Sequence, residues 1–252
     1  MENVINVMKR REMKFVLKKS QVEPFLEALE GHMKLDRYGL TSIASVYFDT
    51  PDCLLINRSI EKPEFKEKIR LRSYGLAKDG STVYLEIKRK VDGIVYKRRI
   101  PVTEPLVEGF LHYQNDLGDS QIAKEIAFFR DHYGTLLPQY LIIYDRKAYF
   151  QEDGDLRVTI DLNPRYRSEN VDLHTSMEGT PLLGEGEAIL EIKAQSAIPL
   201  WLTKALSGLG IYQSSFSKVG AAFLKENRHL RGYLPVTSRQ VAKGGYHYGL
   251  TV

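Results

Sequence analysis

The sequence predicts an α+β domain built on an antiparallel, closed β-barrel of about eight strands that forms a tunnel, with helices packed outside it. Two observations predict this. Stretch after stretch alternates charged and apolar residues at strand spacing, and the charges that share a face are mostly Lys and Arg. In KEKIRLRSY, Lys66, Lys68, Arg70 and Arg72 point one way while Ile69 and Leu71 point the other. In TVYLEIKRK, Glu86, Lys88 and Lys90 oppose Val83, Leu85 and Ile87. Arg10, Glu12 and Lys14 repeat the pattern near the start, as do Glu187, Glu191 and Lys193 in EAILEIK. Side chains alternate across a strand, so each segment has one apolar and one cationic face. The apolar faces need helices to cover them, which turns the charges inward. Unpaired buried cations are too costly for a dry interior, so the lumen is expected to be wet and to await a strongly anionic ligand.

A first strand over 9–17 leads into a helix over 21–34, where Ser20 and Glu23 make a capping box and Pro24 falls in the first turn. A strand at ASVYFDT ends at Thr50–Pro51. Strands follow over 64–74, 81–90 and 93–102, the last two joined around Asp92–Gly93, a hairpin signal. In the helix over 120–133, Ile122, Ile126 and Phe129 share a face and Gly134 stands at the C-cap. Strands over 139–150 and 155–162 bracket the turn EDGD, and 163–186, rich in Asn, Gly, Ser and Glu, reads as a loop. A strand over 187–194 precedes helices over 199–207 and 216–227. Residues 1–231 are expected to form one domain and 232–252 a C-terminal tail.

Hydrophobic residues make up 43% of the 252 and charged residues 27%, an ordinary globular composition with enough apolar residues for a core. The net charge of +4 is too mild to argue for a nucleic-acid coat. The placement of charge is more informative. On the proposed inner faces lie Arg10, Lys14, Lys66, Lys68, Arg70, Arg72, Lys88, Lys90, Lys97, Arg99, Arg146, Arg157 and Lys193, against Glu12, Glu86, Asp161, Glu187 and Glu191. That surplus exceeds the charge of the whole chain, so the remainder is net acidic. A single cysteine, Cys53, excludes a disulfide framework and a multi-thiolate metal site. The six His residues lack HxxxH or HExxH spacing, which speaks against zinc chemistry. No apolar run approaches the ~20 residues of a membrane span and no signal-peptide core stands at the start, so a cytoplasmic protein is expected. Phosphate-binding glycine loops and kinase motifs are missing from the sequence. Side chains must therefore do the anion binding.

Nine fragments in order resemble the triphosphate tunnel metalloenzymes, or CYTH superfamily, and within it the VTC domain, a polyphosphate polymerase domain. They are RREMKF (10–15), SVYFDTP (45–51), KIRLRSYG (68–75), LEIKRK (85–90), YKRRI (96–100), YDRKAY (144–149), LRVTIDLN (156–163), ILEIK (189–193) and FSKVG (216–220). The wider superfamily opens with Glu-x-Glu-x-Lys. Here Arg10 stands at the first Glu and Glu12-x-Lys14 remains, which resembles the VTC branch and speaks against a plain thiamine-triphosphatase or class IV adenylyl cyclase.

The resemblance implies Lys14, Arg70, Arg72, Lys88, Lys97, Arg146 and Arg157 as catalytic phosphate ligands. Arg10, Lys68, Lys193, Ser217 and Lys218 are implied as further phosphate-binding residues. It implies Mg²⁺ or Mn²⁺ as cofactor, with Glu191 as first ligand and Glu86 and Glu12 behind it. The implied substrates are ATP and inorganic polyphosphate or triphosphate, and the implied partner is a membrane-associated protein that takes up the product. This agrees with residue chemistry: Arg forks bind phosphate oxygens bidentately, Lys supplies point charge, and hard divalent cations prefer carboxylates. Hydrolysis of a triphosphate in the same site, and a non-catalytic polyphosphate-binding module, are the rival expectations. Single-stranded nucleic-acid binding would call for exposed aromatics among the cations, and these faces are nearly pure charge. Arg98 is expected to face outward. Tyr47, Tyr84 and Tyr144 are expected either to pack or to line a base pocket.

Overall fold

The structure is a computed structural model that describes residues 11–61, 63–91, 94–195 and 197–227. Arg10, the Asp92–Gly93 turn and the tail over 232–252 lie outside the described residues. The elements run β1 (Arg11–Leu17), α1 (Lys19–Leu29), β2 (Lys34–Asp49), α2 (Leu54–Glu61), β3 (Phe65–Tyr74), β4 (Val83–Val91), β5 (Ile94–Val102), α3 (Glu104–Leu111), α4 (Gln121–Tyr133), β6 (Leu137–Phe150), β7 (Arg157–Arg167), β8 (Thr180–Pro181), β9 (Ala188–Ala194), α5 (Leu200–Gly208), β10 (Gln213–Ser214) and α6 (Lys218–Glu226).

Among the described residues the strands form one antiparallel sheet in the order β10-β1-β9-β7-β6-β2-β3-β4-β5, with β8 beside β7. Two expectations are corrected. The sheet has ten strands rather than about eight, because β8 and β10 are two-residue strands too short to show alternation. It is also open, with β5 and β10 remaining edges. It nevertheless curls strongly. Glu12 on β1 and Lys88 on β4, far apart in strand order, meet through their side chains at 3.2 Å. The concave inner face is a groove between two arms.

The outer face is apolar and covered by helices, as the alternation requires. On one arm Ile69, Leu71, Leu85, Ile87, Leu141 and Ile143 pack under Phe110 of α3 and Ile126 and Phe129 of α4. On the other, Phe15, Leu17, Val158, Ile160, Leu190 and Ile192 pack under α1 and α5 through Phe25, Leu29, Leu202 and Leu206. A third cluster lies on the inner face. There Ile43, Tyr47, Tyr140, Ile142 and Tyr144 meet Ile56 and Ile60 of α2 and Val219, Ala222 and Phe223 of α6, so that both helices pack on the inner side of the sheet.

Several local expectations shift. The first helix runs over 19–29 rather than 21–34: Gln21, not Glu23, accepts the N–H of its cap residue, Lys18, at 2.8 Å. Pro24 consequently lies inside the helix, and the chain turns at Gly31 (φ 74°). The next strand begins ten residues before ASVYFDT, at Lys34, paired with the end of β6. Its first half lacks alternation because a register shift between Leu35 and Leu40 breaks the period. The segment read as a loop over 163–186 contains the end of β7 and all of β8. Glu187 precedes β9 and accepts the Gly184 N–H, so it does not belong to the inner face. Helices α2 and α3 were not expected. Asp49 nucleates α2 by accepting the N–H groups of Thr50, Leu55 and Ile56, each at 2.8 Å. α3 follows Thr103 with a proline in its first turn. By contrast α4 ends as expected at Gly134 (φ 70°), and Ser120, read as its first residue, is its N-cap and accepts from the Ala123 N–H at 3.1 Å.

Phe110 is fully buried where α3 covers the sheet. Phe110→Ala is expected to cost about 3–5 kcal/mol in urea unfolding. A cost below about 1 kcal/mol would mean that the outer face is not the core.

Candidate anion-binding site

Each inner-face side chain is placed by strand register. In the β3–β4 ladder Arg70 stands opposite Glu86 and Lys68 opposite Lys88, and in the β4–β5 ladder Glu86 opposes Arg99 and Lys88 opposes Lys97. On the other arm Lys14 opposes Glu191, Glu12 opposes Lys193, and Arg146 opposes Asp161. Directly opposed residues share a face, so the pairing collects these groups in the groove.

They form two networks. In the first, Glu86, nearly inaccessible, accepts from Arg70 Nε at 2.8 Å, receives Lys97 Nζ at 2.6 Å, and lies 3.8 Å from Arg72. In the second, Glu191 meets Lys14 at 3.2 Å, Lys193 at 3.4 Å, Lys218 at 3.7 Å and Arg146 at 3.8 Å. Arg146 also binds Asp161 through two N–H groups, at 2.5 and 2.8 Å, and Lys218 joins Asp161 from α6. Glu12 bridges the arms between Lys14 and Lys88. Among the described residues Lys68 finds a hydroxyl partner and no carboxylate, donating to Ser217 Oγ at 2.9 Å, while Ser217 caps α6 by accepting the Gly220 N–H.

The electrostatics follow from burial and crowding. Burial alone would raise the Glu86 carboxyl, but Arg70, Arg72 and Lys97 outweigh it and hold it at about 2. Burial is likewise overcome at Glu12 by Lys88 and Lys14, and at Glu191 by Lys14, Lys218, Lys193 and Arg146; both sit below the usual carboxylate range. The lysines respond unequally. Burial pushes Lys97 down to about 7, since Arg70 and Arg72 counteract the pull of Glu86. Lys88 falls to about 8 through burial, with Glu12 opposing and Lys14 reinforcing. Lys68 falls far below its usual range because burial is joined by Lys14, Lys88, Lys66 and Arg70. Lys14 moves the other way, Glu191 and Glu12 overcoming its burial.

Of the expected site residues, Lys14, Lys68, Arg70, Arg72, Lys88, Lys97, Arg146, Lys193, Ser217, Lys218, Glu12, Glu86 and Glu191 come together in these networks. Arg157, opposite Lys193 at the start of β7, is exposed, and its guanidinium lies over the Phe150 ring at 5.1 Å rather than within either network. Arg98 faces outward to Glu125 of α4, as expected. Sequence reasoning missed the roles of Ser45, Tyr47 and Tyr144. Arg70 donates to the Tyr47 hydroxyl at 2.7 Å, and Arg72 donates to Ser45 Oγ at 3.2 Å and to the Tyr144 hydroxyl at 3.0 Å. The signal was present: alternation in SVYFD puts Ser45 and Tyr47 on one face, opposite Arg72 and Arg70.

Comparison with known proteins then decides the family. A family model described as the VTC domain matches residues 9–225. The chain belongs to the VTC domain family. None of the curated proteins matches it. Among solved structures, this VTC domain is similar to a candidate adenylate cyclase of Bacillus halodurans, with a TM-score of 0.53 at 12% identity, over 83% of this chain and 96% of that one. It is also similar to a candidate adenylyl cyclase of Hippeastrum with a dominant triphosphatase activity, with a TM-score of 0.49 at 16% identity, over 86% and 95% of the two chains. The Bacillus likeness supports the same fold for this VTC domain, an antiparallel sheet with outer helices.

An anion entering the groove favours charged lysines, so binding raises the pKa of Lys97 and takes up protons. At pH 7, where Lys97 is about half charged in the free site, calorimetric titration of tripolyphosphate in buffers of differing ionisation enthalpy is expected to show more proton uptake than Lys97→Arg, by about half a proton. The affinity is expected to fall as pH rises above 7. Equal uptake by the two proteins would contradict the depressed Lys97.

Proposed function

We propose that this VTC domain is a metal-dependent polyphosphate polymerase that transfers the γ-phosphoryl of ATP to a polyphosphate chain held in the groove. The convergence of Lys14, Lys68, Arg70, Arg72, Lys88, Lys97, Arg146, Lys193 and Lys218 on one face, against the four carboxylates Glu12, Glu86, Asp161 and Glu191, carries the reading. Membership of the VTC family supports it. In phosphoryl transfer the protein mainly positions groups and neutralises charge. The guanidinium forks of Arg70, Arg72 and Arg146 suit non-bridging phosphate oxygens, while Lys14, Lys88 and Lys218 supply mobile charge. A terminal oxygen of the polyphosphate forms the new bond to the γ-phosphorus as the bond to the β–γ bridging oxygen breaks, and ADP leaves. The acceptor oxygen is already anionic, so no general base is required.

The carboxylates fit a hard divalent cation of the phosphate-bridged kind. Glu12 and Glu191 share Lys14 and are both held ionised, and Mg²⁺ takes one or two carboxylates and completes its shell with phosphate oxygens and water. No cluster of three or more His, Cys, Asp or Glu residues among the described ones could form an all-protein cage. Glu191 and Glu12 are the residues to hold Mg²⁺ or Mn²⁺; Glu86, tied to Arg70 and Lys97, is the weaker candidate. When bound, the ion would add positive charge against the phosphate oxygens.

Water as acceptor gives the second reading, a triphosphatase, which the same cations and carboxylates would serve equally. The membrane partner stays a proposal from family resemblance. No helix among the described residues is long and apolar enough to cross a membrane.

Incubation with ATP and Mn²⁺, followed by gel and ³¹P analysis, is expected to yield long polyphosphate. Free phosphate alone would replace polymerase with hydrolase, and no turnover would remove both. Arg70→Ala and Arg72→Ala are each expected to lower kcat/KM by about 10²-fold or more while the protein stays folded. Near-wild-type rates in either would refute the site. Glu191→Gln should shift the Mn²⁺ titration to higher concentration, and an unchanged titration would strike it from the ligand set.

A further inference from the structure

Arg70 and Arg72 share one carboxylate, Glu86. With that partner alone, both forks would be free to fold back onto Glu86 and turn their donors from the groove. Each has a second anchor. The Tyr47 hydroxyl accepts from Arg70 Nη1 at 2.7 Å, and the Tyr144 hydroxyl accepts from Arg72 Nη2 at 3.0 Å, with Ser45 taking Arg72 Nε. Both rings are buried in the inner apolar cluster beside Ile43, Ile142 and Val219, where a phenylalanine would pack as well. A hydroxyl in such a place needs a partner, and each one's partner is a guanidinium. Register makes the arrangement systematic, since Tyr47 lies directly opposite Arg70, and Ile43, two residues before Ser45 on β2, lies opposite Tyr144. The chemistry of the anchor matters as well. A carboxylate at either position would fix the fork but cancel its charge, whereas a neutral phenol fixes direction and leaves the charge for an anion. Tyr144 lies deepest among cations: Arg146 and Lys218 approach its ring at 5.1 and 4.5 Å.

We propose that Tyr47 and Tyr144 are positioning residues, neutral acceptors that aim the Arg70 and Arg72 guanidiniums into the groove for phosphate. The consequence for phosphate rests on the function proposed above; the aiming itself does not. A long Arg side chain has rotamer freedom to lose on binding, part of which the phenols remove before the anion arrives.

Two measurements on Tyr47→Phe, Tyr144→Phe, Arg70→Ala and the double variant Tyr47→Phe/Arg70→Ala test this. The first is ¹⁵N NMR of the guanidinium groups without any ligand. Tyr47→Phe is expected to release the Arg70 signal into faster rotation and Tyr144→Phe that of Arg72, with each melting temperature close to wild type. The second is tripolyphosphate titration. Tyr47→Phe is expected to weaken binding about 3- to 10-fold, the worth of one hydrogen bond, and to cause no further loss in the Arg70→Ala background. Unchanged guanidinium dynamics in both phenylalanine variants would overturn the proposal, as would a full extra loss in the double variant, which would make Tyr47 a direct phosphate ligand. Should wild type bind no tripolyphosphate while the guanidinium signals still respond, the aiming stands and the polyphosphate reading falls.

Discussion

Eight cations on one curled face of a sheet, joined by Lys218 from α6, repel one another in a partly desolvated space, and the rest of the site is arranged around that repulsion. Four carboxylates offset it only in part. Glu86 holds Arg70, Arg72 and Lys97, while Glu12, Asp161 and Glu191 hold Lys14, Lys88, Arg146, Lys193 and Lys218. The shortfall appears in the lysines. Lys68, which among the described residues donates to Ser217 and has four cations around it, is pushed well below the usual lysine range, and Lys97 and Lys88 are displaced in the same direction. A polyanion placed among these groups would relieve the crowding, which is the physical basis of the proposed function.

The same constraint explains why the fold inverts the usual distribution of polarity. With charge on the inner face, the apolar core must lie on the outer face, and it is split between two helix-covered arms. Where the inner face does become apolar, α2 and α6 plug it, and α6 brings Ser217 and Lys218 to the groove as its first residues. Asp49 contributes at a distance by capping α2, its carboxylate accepting the Leu55 and Ile56 N–H groups as well as that of Thr50.

Much of this was legible in the sequence because period-two alternation reports directly on a half-buried strand. KEKIRLRSY and TVYLEIKRK showed both faces and therefore the cationic groove. What was illegible had local physical causes. Closure depends on whether β5 hydrogen-bonds to another edge, which side-chain patterns do not encode, and the sheet stays open. The start of β2 was hidden by the register shift near Gly39, and β8 and β10 by their length. α2 was hidden because its cap, Asp49, sits five residues ahead of it, at the end of a strand. At the site, the cations were readable one by one, but their partners were not. That Tyr47 and Tyr144 accept from guanidiniums follows only from the pairing of β2 with β3 and β6.

The central claim is that this groove binds a chain of phosphates as one unit, and thermal unfolding tests it most directly. At about 100 times its Kd, tripolyphosphate should stabilise the fold by about 2.7 kcal/mol, a rise of roughly 5–10 °C in Tm, with AMP giving little or none. A Tm unmoved by tripolyphosphate, or moved equally by AMP, would contradict the account.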